Sequence, residues 1–260
     1  MTDKILLSRD ETGVATVTLN QPEKRNALNL EMFQAIGQAL ADFDADESLR
    51  CVVFRGAGGK AFGAGADISE FETLRGTRDQ AVKYAALSNP VFEAVQTCRH
   101  PTIALIEGLC VGGGFGLAAM CDLRICGEGS RFGVPVKRLG LVESPEELRP
   151  LVRKFGANTM MQILFVGDLM VAADALRVGL VDRVVPDEEV EAAAYEWAGK
   201  IAEGAPLSAR WHKKFLYRLM DPTPLTEAEM AEGYDAFDTA DFQEGFQAFL
   251  GKRKPQFTGH

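Results

Sequence analysis

The sequence predicts an α/β fold in which short strands alternate with helices and pair in parallel. The first observation behind it is that apolar runs of strand length recur at residues 51–55, 102–106 and 123–126, as expected of strands buried on both faces. The second is that segments with apolar residues at helical spacing lie between these runs. In such a fold the loops at one edge of the sheet carry the ligand site.

The N-terminal part of the chain predicts a β-hairpin followed by a helix. Residues 14–19 alternate apolar side chains with threonines, and residues 5–9 form another β-rich run. The chain turns between them at residues 11–13, which end in glycine. Further along, apolar side chains recur at the spacing of one helix face, namely at Phe33, Ile36, Leu40 and Phe43.

The middle of the chain predicts two glycine-rich turns, each between a strand and a helix. The strand at 51–55 leads into a glycine-rich loop at 56–65, and a polar helical region then extends to about residue 99. The strand at 102–106 leads into Gly112-Gly113-Gly114, which open a helix. The strand at 123–126 closes this unit.

The C-terminal part of the chain predicts helices only. From about residue 187 helical patterns cover residues 188–203, 206–220 and 226–250. They carry more aromatic side chains than they can bury alone, among them Trp197, Trp211, Phe237, Phe242 and Phe246. We therefore expect a core of residues 1–190 and a helical region of residues 191–260 that packs on the core or on another subunit.

Composition and charge argue against several classes of partner. The 260 residues carry a net charge of −9 and no basic run longer than Lys252-Arg253-Lys254, whereas nucleic-acid and anionic membrane surfaces need a concentrated basic footprint. The N-terminus lacks the apolar core of a signal peptide, and no apolar stretch is long enough to span a bilayer. We expect a cytoplasmic protein, with room for one local anion site.

Common cofactor, metal and nucleophile motifs fail when they are counted. Lys60 is followed by alanine, so no Walker loop forms, and neither glycine cluster completes GxGxxG. There is no GxSxG elbow, and the histidines are unclustered. The five cysteines show no CxxC pair, so we expect buried reduced thiols and no metal site; they are Cys51, Cys98, Cys110, Cys121 and Cys126.

The two glycine-rich turns could together form an oxyanion hole. Glycines let backbone amides face a ligand without a Cβ in the way, and amides at a helix N-terminus are anion donors. Two such turns from neighbouring strands could direct two N–H groups at one oxygen. The simpler interpretation is that the glycines only permit tight turns and close packing of helix on sheet.

Over nearly its whole length the sequence resembles the crotonase superfamily, the enoyl-CoA hydratase/isomerase family. The resemblance is carried by segments 20–28 (NQPEKRNAL), 61–68 (AFGAGADI), 108–114 (GLCVGGG), 121–122 (CD), 132–135 (FGVP), 172–175 (AADA), 179–181 (GLV) and 252–254 (KRK). It implies a crotonase-like spiral ββα core with a C-terminal helical trimerisation region, assembled as a homotrimer or a dimer of trimers.

The resemblance also implies a substrate site. The carbonyl oxygen of a coenzyme A thioester would lie between the backbone amides of Ala66 and Gly113. The nucleotide pocket would fall on the backbone around Arg25, Ala27, Ala64 and Ile68. Lys252 would reach the CoA phosphates, in its own subunit or a neighbouring one. Coenzyme A would be part of the substrate, with no separate cofactor.

The resemblance breaks at two positions that matter for water addition. Hydratases of this family use two glutamates, one two residues beyond the triple glycine and one directly after the FGxP segment. Those positions are Gly116 and Val136 here, and neither side chain can transfer a proton. We therefore expect the oxyanion hole to persist and efficient hydration to be lost.

Other members of the superfamily place an acid in the loop after this segment, which here contains Glu143-Ser144-Pro145-Glu146-Glu147. Their acid aligns with Ser144, so Glu143 is its neighbour and our candidate acid. Ser144 also looks like the cap of a helix that starts at Pro145, with Glu146 and Glu147 in its first turn. A solvated loop acid is the other interpretation of Glu143.

Two classes of function therefore remain open. The first is an enzyme that stabilises a thioester enolate in the oxyanion hole, as an isomerase, lyase, decarboxylase or hydrolase. The second is a non-catalytic acyl-CoA binding protein that kept the cleft and lost the acids. Asp67 and Asp122 match family positions, and we expect them to be structural hydrogen-bond acceptors.

Overall fold

Two β-sheets organise the chain in a computed structural model, which describes residues 2–260 except for the side chain of Glu72. The strands are β1 (Ile5–Arg9), β2 (Val14–Leu19), β3 (Cys51–Gly56), β4 (Ala61–Gly63), β5 (Thr102–Ile106), β6 (Leu109–Val111), β7 (Leu123–Gly127), β8 (Arg131–Gly133), β9 (Met170–Val171) and β10 (Arg183–Val185). The first sheet has six strands in the order β1-β2-β3-β5-β7-β10, and only the β1–β2 hairpin is antiparallel. The expected hairpin and parallel α/β core are confirmed.

The helices follow the strands and cover both faces of the first sheet. They are α1 (Leu30–Ala45), α2 (Phe71–Leu74), α3 (Arg78–Thr97), α4 (Gly113–Met120), α5 (Pro145–Phe155), α6 (Ala157–Met161), α7 (Ala172–Arg177), α8 (Val190–Ala202), α9 (Pro206–Leu219), α10 (Glu227–Glu232) and α11 (Ala240–Leu250). Short 3-10 turns and one π-helical turn at Gln162–Val166 join them. No helix in the described residues is long and apolar enough to cross a membrane.

The central strands are buried on both faces because helices pack on each side. In β3, Val52 and Phe54 join the larger core with α1 and α4, while Val53 faces the opposite way into a second core. Helix α8 covers that second face through Val190 and Ala194. Since successive side chains of a strand alternate between faces, a near-continuous apolar run is what both-sided burial requires.

The second sheet was not predicted, and it positions the glycine turns. Strands β4, β6 and β8 pair in parallel, and β9 pairs antiparallel with β8. Each has only two or three residues, which is too short to show a period of two in the sequence. Because β4 and β6 are neighbours, the two glycine-rich turns that follow them meet at one sheet edge.

The two turns touch through glycine backbone. A Cβ atom on Gly114 would lie 2.3 Å from the carbonyl oxygen of Gly63, and one on Gly112 would lie 3.2 Å from the Cα of Gly65. Gly65 has φ of 109° and Gly112 has φ of 52°, in a region that favours glycine. Close packing, the simpler interpretation of the glycines, is therefore confirmed, and it is compatible with a role in binding.

The C-terminal region is helical, as expected, but its last predicted helix is broken. Residues 226–250 form α10, a 3-10 turn at Asp235–Asp238 and then α11. The break has a local cause, since Thr239 is extended and its side chain accepts a hydrogen bond from the Phe242 N–H, which starts a new helix. The division at residue 190 falls at the start of α8 and remains a prediction.

The aromatic side chains of this region divide into two groups. Trp197 packs against the second core, so part of the predicted packing on the core is confirmed. The second group is exposed in the single chain and consists of Phe237, Phe242, Phe246 and Phe249. The ring centroids of Phe237 and Phe242 are 4.9 Å apart. The five cysteines are buried and unpaired, as expected.

We expect Gly114→Ala to lower the free energy of unfolding by about 3 kcal/mol or more, because its Cβ would overlap the Gly63 backbone, which cannot rotate away. Gly199→Ala is the matched control, because no atom lies within 4 Å of its Cβ position. In the interior of α8 it should raise stability by about 0.5–1 kcal/mol. Urea unfolding of both variants measures the difference, and equal effects would contradict close contact of the turns.

Candidate active site

A cleft of about 960 Å³ opens where the second sheet ends. Strands β4, β6 and β8 are parallel, so the segments after Gly63, Val111 and Gly133 emerge at the same edge. All three segments line the cleft, and helix α3 and the start of α5 complete its wall. Glycine-bearing backbone and acidic side chains thus face one cavity.

The amides of Ala66 and Gly113 both lie in the lining of this cleft. Leu28 donates its N–H to the Gly65 carbonyl at 2.8 Å, and Asp67 donates its N–H to the Leu28 carbonyl at 2.7 Å, so the pairing passes over the Ala66 N–H. Gly113 is the first residue of α4, where an N–H has no intrahelical acceptor. Neither amide donates to an acceptor within the described part of the chain, which leaves both available to a ligand oxygen.

Three of the five residues predicted to bind CoA line the same cleft. They are Ala27, Ala64 and Ile68, of which Ile68 is 71% exposed at the rim. Arg25 is not in the lining, although its carbonyl accepts the Ala64 N–H at 3.0 Å and so joins the two segments. Lys252 is also outside the lining.

Lys252 lies in the exposed turn after α11 with φ of 50°. Its neighbours in the basic triplet are engaged, since Lys254 pairs with Glu203 at 2.8 Å and Arg253 pairs with Glu244. Lys252 makes no ion pair with any residue in the described range. Of the triplet it alone is left for an anion.

Glu143 faces the cleft, half-buried, in the loop between β8 and α5. Burial and, to a lesser extent, the nearby Glu147 carboxylate raise the pKa of Glu143 to about 7, against the opposing charge of Arg75. A carboxyl group with a pKa near neutrality can both take and give a proton at physiological pH. The structure thus gives Glu143 the environment that proton transfer needs.

The apolar neighbours of Glu143 account for only part of this pKa shift. Val142, the residue before it, is 89% exposed and does not bury the carboxyl group. Val136 and Leu141 do line the cleft. The second contribution comes from Glu147, whose proximity sequence reasoning missed.

Glu147 is fixed by the start of α5. The Ser144 hydroxyl accepts the Glu147 N–H at 3.2 Å, and the Glu147 carboxylate accepts the Ser144 N–H at 2.8 Å, which is a capping box. The predicted cap is therefore confirmed. Glu146 accepts a hydrogen bond from the Asn89 side chain at 3.3 Å, so the two first-turn glutamates have structural partners.

Gly116 and Val136, the two positions at which the family resemblance implies glutamates, are both in the cleft lining. A Cβ atom on Gly116 would lie 3.2 Å from the Phe92 ring. Phe92 in turn packs edge-on against Phe33, with ring centroids 5.4 Å apart. The space beside Gly116 is thus filled by an aromatic ring, and Val136 packs against the larger core.

Asp67 and Asp122 are held as hydrogen-bond acceptors. Asp67 is 5% exposed, pairs with Lys24 at 2.6 Å and caps the turn after it through the Ser69 N–H. Although burial opposes it, hydrogen bonds from Lys24 and Ser69 lower the pKa of Asp67. Asp122 accepts the Thr102 N–H at 2.7 Å and pairs with Lys213 at 2.8 Å.

Two further contacts were missed by sequence reasoning. Asn26 is fully buried, and its side-chain amide donates to the carbonyls of Ala57 at 2.9 Å and Ala61 at 2.7 Å, which fixes segment 20–28 against β4.

Lys154 lines another part of the cleft and donates to the Ala119 carbonyl at 2.9 Å. Burial lowers the pKa of Lys154 to about 8. A lysine in the last turn of α5 is an ordinary helix-end residue in sequence, so no signal marked it.

Similarity to known proteins shows that this fold belongs to an acyl-CoA-processing class of protein. The family model for enoyl-CoA hydratase/isomerase matches residues 9–260. The chain is 34% identical over 247 residues to the short-chain-enoyl-CoA hydratase of Clostridium acetobutylicum, covering 94% of each, and 33% identical to the crotonyl-CoA hydratase of Syntrophomonas wolfei, covering 98% of each. A crystal structure of an enoyl-CoA hydratase/carnithine racemase from Magnetospirillum magneticum superposes with a TM-score of 0.97 at 45% identity, covering 100% of this chain and 97% of that one. The chain belongs to the enoyl-CoA hydratase/isomerase family, and the fold expected from the resemblance is confirmed.

The raised pKa of Glu143 predicts a pH-dependent stability. The Glu143 carboxyl group binds its proton more tightly in the folded chain than in the unfolded chain. Proton binding by Glu143 therefore stabilises the folded state at low pH, and this stabilisation is lost as the pH rises from about 4.5 to about 7. Allowing for partial exposure, we expect Glu143→Gln to be more stable than the parent at pH 8 by on the order of 1–2 kcal/mol, and equal to it at pH 4. Urea unfolding at both pH values tests this, with Glu11→Gln, in the exposed hairpin turn, as the control. A stability difference that does not change with pH would contradict the assignment.

Proposed function

We propose that this protein binds an acyl-CoA thioester and moves a proton on its acyl group, through an enolate held by the amides of Ala66 and Gly113. The observation that carries the proposal is that these two unpaired amides and the Glu143 carboxyl line one cleft. Two N–H donors directed at one oxygen stabilise developing negative charge. A carboxyl group with a pKa of about 7 supplies the proton transfer.

The proton transfer proceeds in two steps. Ionised Glu143 takes a proton from Cα of the bound thioester, and the electron pair of that C–H bond moves onto the thioester oxygen between the two amides. Protonated Glu143 then returns the proton to Cα, or delivers it to Cγ when a β,γ double bond is conjugated with the enolate. Delivery to Cγ shifts the double bond and is an isomerisation, which needs no water.

Efficient hydration is a weaker candidate for this chain, although the relatives named above are called hydratases. Water addition needs one group to deprotonate water and another to protonate Cα. The two positions that the family resemblance assigns to those groups are Gly116 and Val136. We therefore propose an isomerase-like or lyase-like reaction.

The second candidate function is an acyl-CoA binding protein without catalysis. It is favoured by the surroundings of Glu143, since burial and the nearby Glu147 charge both help to keep Glu143 protonated. A carboxyl group that stays protonated cannot start the reaction by removing a proton. The two functions differ in whether Cα of a bound thioester exchanges its protons.

We also propose that the chain assembles as a trimer or a dimer of trimers. The support is the exposed aromatic surface of the C-terminal region, formed by Phe237, Phe242, Phe246 and Phe249. In such an assembly Lys252, which lies outside the cleft of its own chain, could reach the CoA phosphates of a neighbouring subunit. Three- or sixfold multiples of the 28.3 kDa chain mass in light scattering are expected.

The proposed role of Glu143 predicts a loss of exchange at Cα in Glu143→Gln. With butyryl-CoA in D₂O, the parent should incorporate deuterium at Cα, and the variant should do so at least ~10²-fold more slowly, because amide cannot accept the proton. Mass spectrometry of the recovered thioester measures the rate. Glu11→Gln should retain the parental rate.

Equal rates for the parent and Glu143→Gln would remove Glu143 as the acid/base. Absence of exchange in the parent, with butyryl-CoA still bound in calorimetry, would favour the binding protein. Absence of binding would overturn the proposal as a whole.

The loss of both water-activating carboxylates predicts slow hydration of crotonyl-CoA. We expect a kcat well below ~10³ s⁻¹, the upper range for enzymes, because no second proton donor faces the substrate at Gly116 or Val136. The decrease in absorbance of the enoyl thioester follows the reaction. A kcat near ~10³ s⁻¹ would show that another pair of groups supplies both protons.

A further inference from the structure

One wall of the cleft carries a guanidinium held between two aromatic rings. The Cζ atom of Arg75 lies 4.6 Å from the ring centroid of Phe71 and 4.7 Å from that of Tyr84. All three residues line the cleft. Stacking of this kind fixes the plane of a guanidinium and leaves its five N–H donors at the edge. No hydrogen bond joins the Arg75 side chain to any side chain whose placement is described.

Tyr84 adds a hydroxyl group that has no partner in the protein. Its side chain is only 5% exposed, and its Oη atom is buried without a hydrogen bond. Burial raises the pKa of Tyr84 to about 12, so the hydroxyl keeps its proton and can donate. A buried hydroxyl without a partner lowers stability, and its place in a cleft wall indicates that a ligand supplies the acceptor.

The position of these two groups relates them to the acyl group. The charge of Arg75 acts on Glu143, which places it on the side of the cleft where the proposed proton transfer occurs. Apolar side chains of the same cleft include Phe33, Phe92 and Phe115. A hydrocarbon chain bound here would cover the guanidinium and the hydroxyl and leave both without acceptors, which is unfavourable.

We propose that the acyl group carries a second carboxylate, which accepts hydrogen bonds from the Arg75 guanidinium and the Tyr84 hydroxyl. The substrate class is then the CoA monothioester of a short dicarboxylic acid, and this inference rests on the proposed function. A guanidinium and a carboxylate match in geometry and charge. The acidic groups nearby have partners of their own: Asp67 is paired with Lys24, and Glu70 and Glu147 accept backbone N–H groups. Glu143 is protonated below about pH 7.

The test compares the binding of glutaryl-CoA, butyryl-CoA and free CoA by calorimetry at pH 6.5. The parent should bind glutaryl-CoA at least ~10-fold more tightly than butyryl-CoA, as expected for a charge-assisted bidentate contact. In Arg75→Met this preference should vanish through weaker binding of glutaryl-CoA, while the dissociation constant for butyryl-CoA changes less than ~2-fold. Lys83→Met, which removes an exposed charge from α3 outside the cleft, should keep the parental preference.

Tyr84→Phe provides a second variant that does not depend on the fate of Arg75. Removing the hydroxyl should weaken glutaryl-CoA binding by roughly 3- to 10-fold. It should leave the melting temperature unchanged or raise it, because the lost group has no partner in the protein. A purely structural role of Tyr84 would instead lower the melting temperature and leave the ligand preference intact.

Three results would overturn the inference. Equal or weaker binding of glutaryl-CoA than of butyryl-CoA by the parent would exclude a carboxylate subsite. A similar loss for all three compounds in Arg75→Met would show that Arg75 contacts the CoA portion. Failure of the parent to bind any of the three would overturn the proposed function, and the subsite with it.

Discussion

The approach of two glycine turns, backbone against backbone, is the contact on which the site depends. The Gly63 carbonyl and Gly114 are too close for any side chain, and Gly112 lies against the Cα of Gly65. This approach follows from the pairing of β4 with β6, and it places the Ala66 and Gly113 amides at the edge of one cleft. Asn26 stabilises the loop that leads into β4, because its buried side-chain amide donates hydrogen bonds to the carbonyls of Ala57 and Ala61 at the two ends of that loop.

The chain is acidic as a whole, but individual pairs of neighbouring residues determine the charges inside the cleft. The Lys24–Asp67 pair stabilises the turn that carries Ala66. The capping box of α5 holds Glu147 beside Glu143. The hydrogen bonds of this capping box therefore stabilise the start of α5 and also hold the carboxylate that helps to raise the pKa of Glu143.

The sequence predicted well those features that depend on residues close together in the chain. Long apolar runs identified β3, β5 and β7, and the pattern Ser144-Pro145 with Glu147 identified the start of α5. The second sheet escaped prediction because its strands are too short to show a period. The contact of Arg75 with Tyr84 depends on how the end of α2 packs against α3, and no local pattern encodes it. Glu147 lies only four residues after Glu143, but its effect on the pKa of Glu143 depends on the burial of that loop in the folded chain. Arg25 and Lys252, which the family resemblance assigns to CoA binding, lie outside the cleft lining of the single chain.

The Phe92 ring beside Gly116 also bears on how this chain could change over generations. A side chain introduced at residue 116 meets a ring that is itself wedged against Phe33. A side chain at residue 116 requires the Phe92 ring to shift by a few tenths of an ångström, whereas a smaller residue at 92 alone would leave a gap in the wall. We therefore expect the effects of replacements at residues 92 and 116 on stability to be non-additive. The identity of residue 116 is therefore coupled to the packing of the Phe33–Phe92 pair.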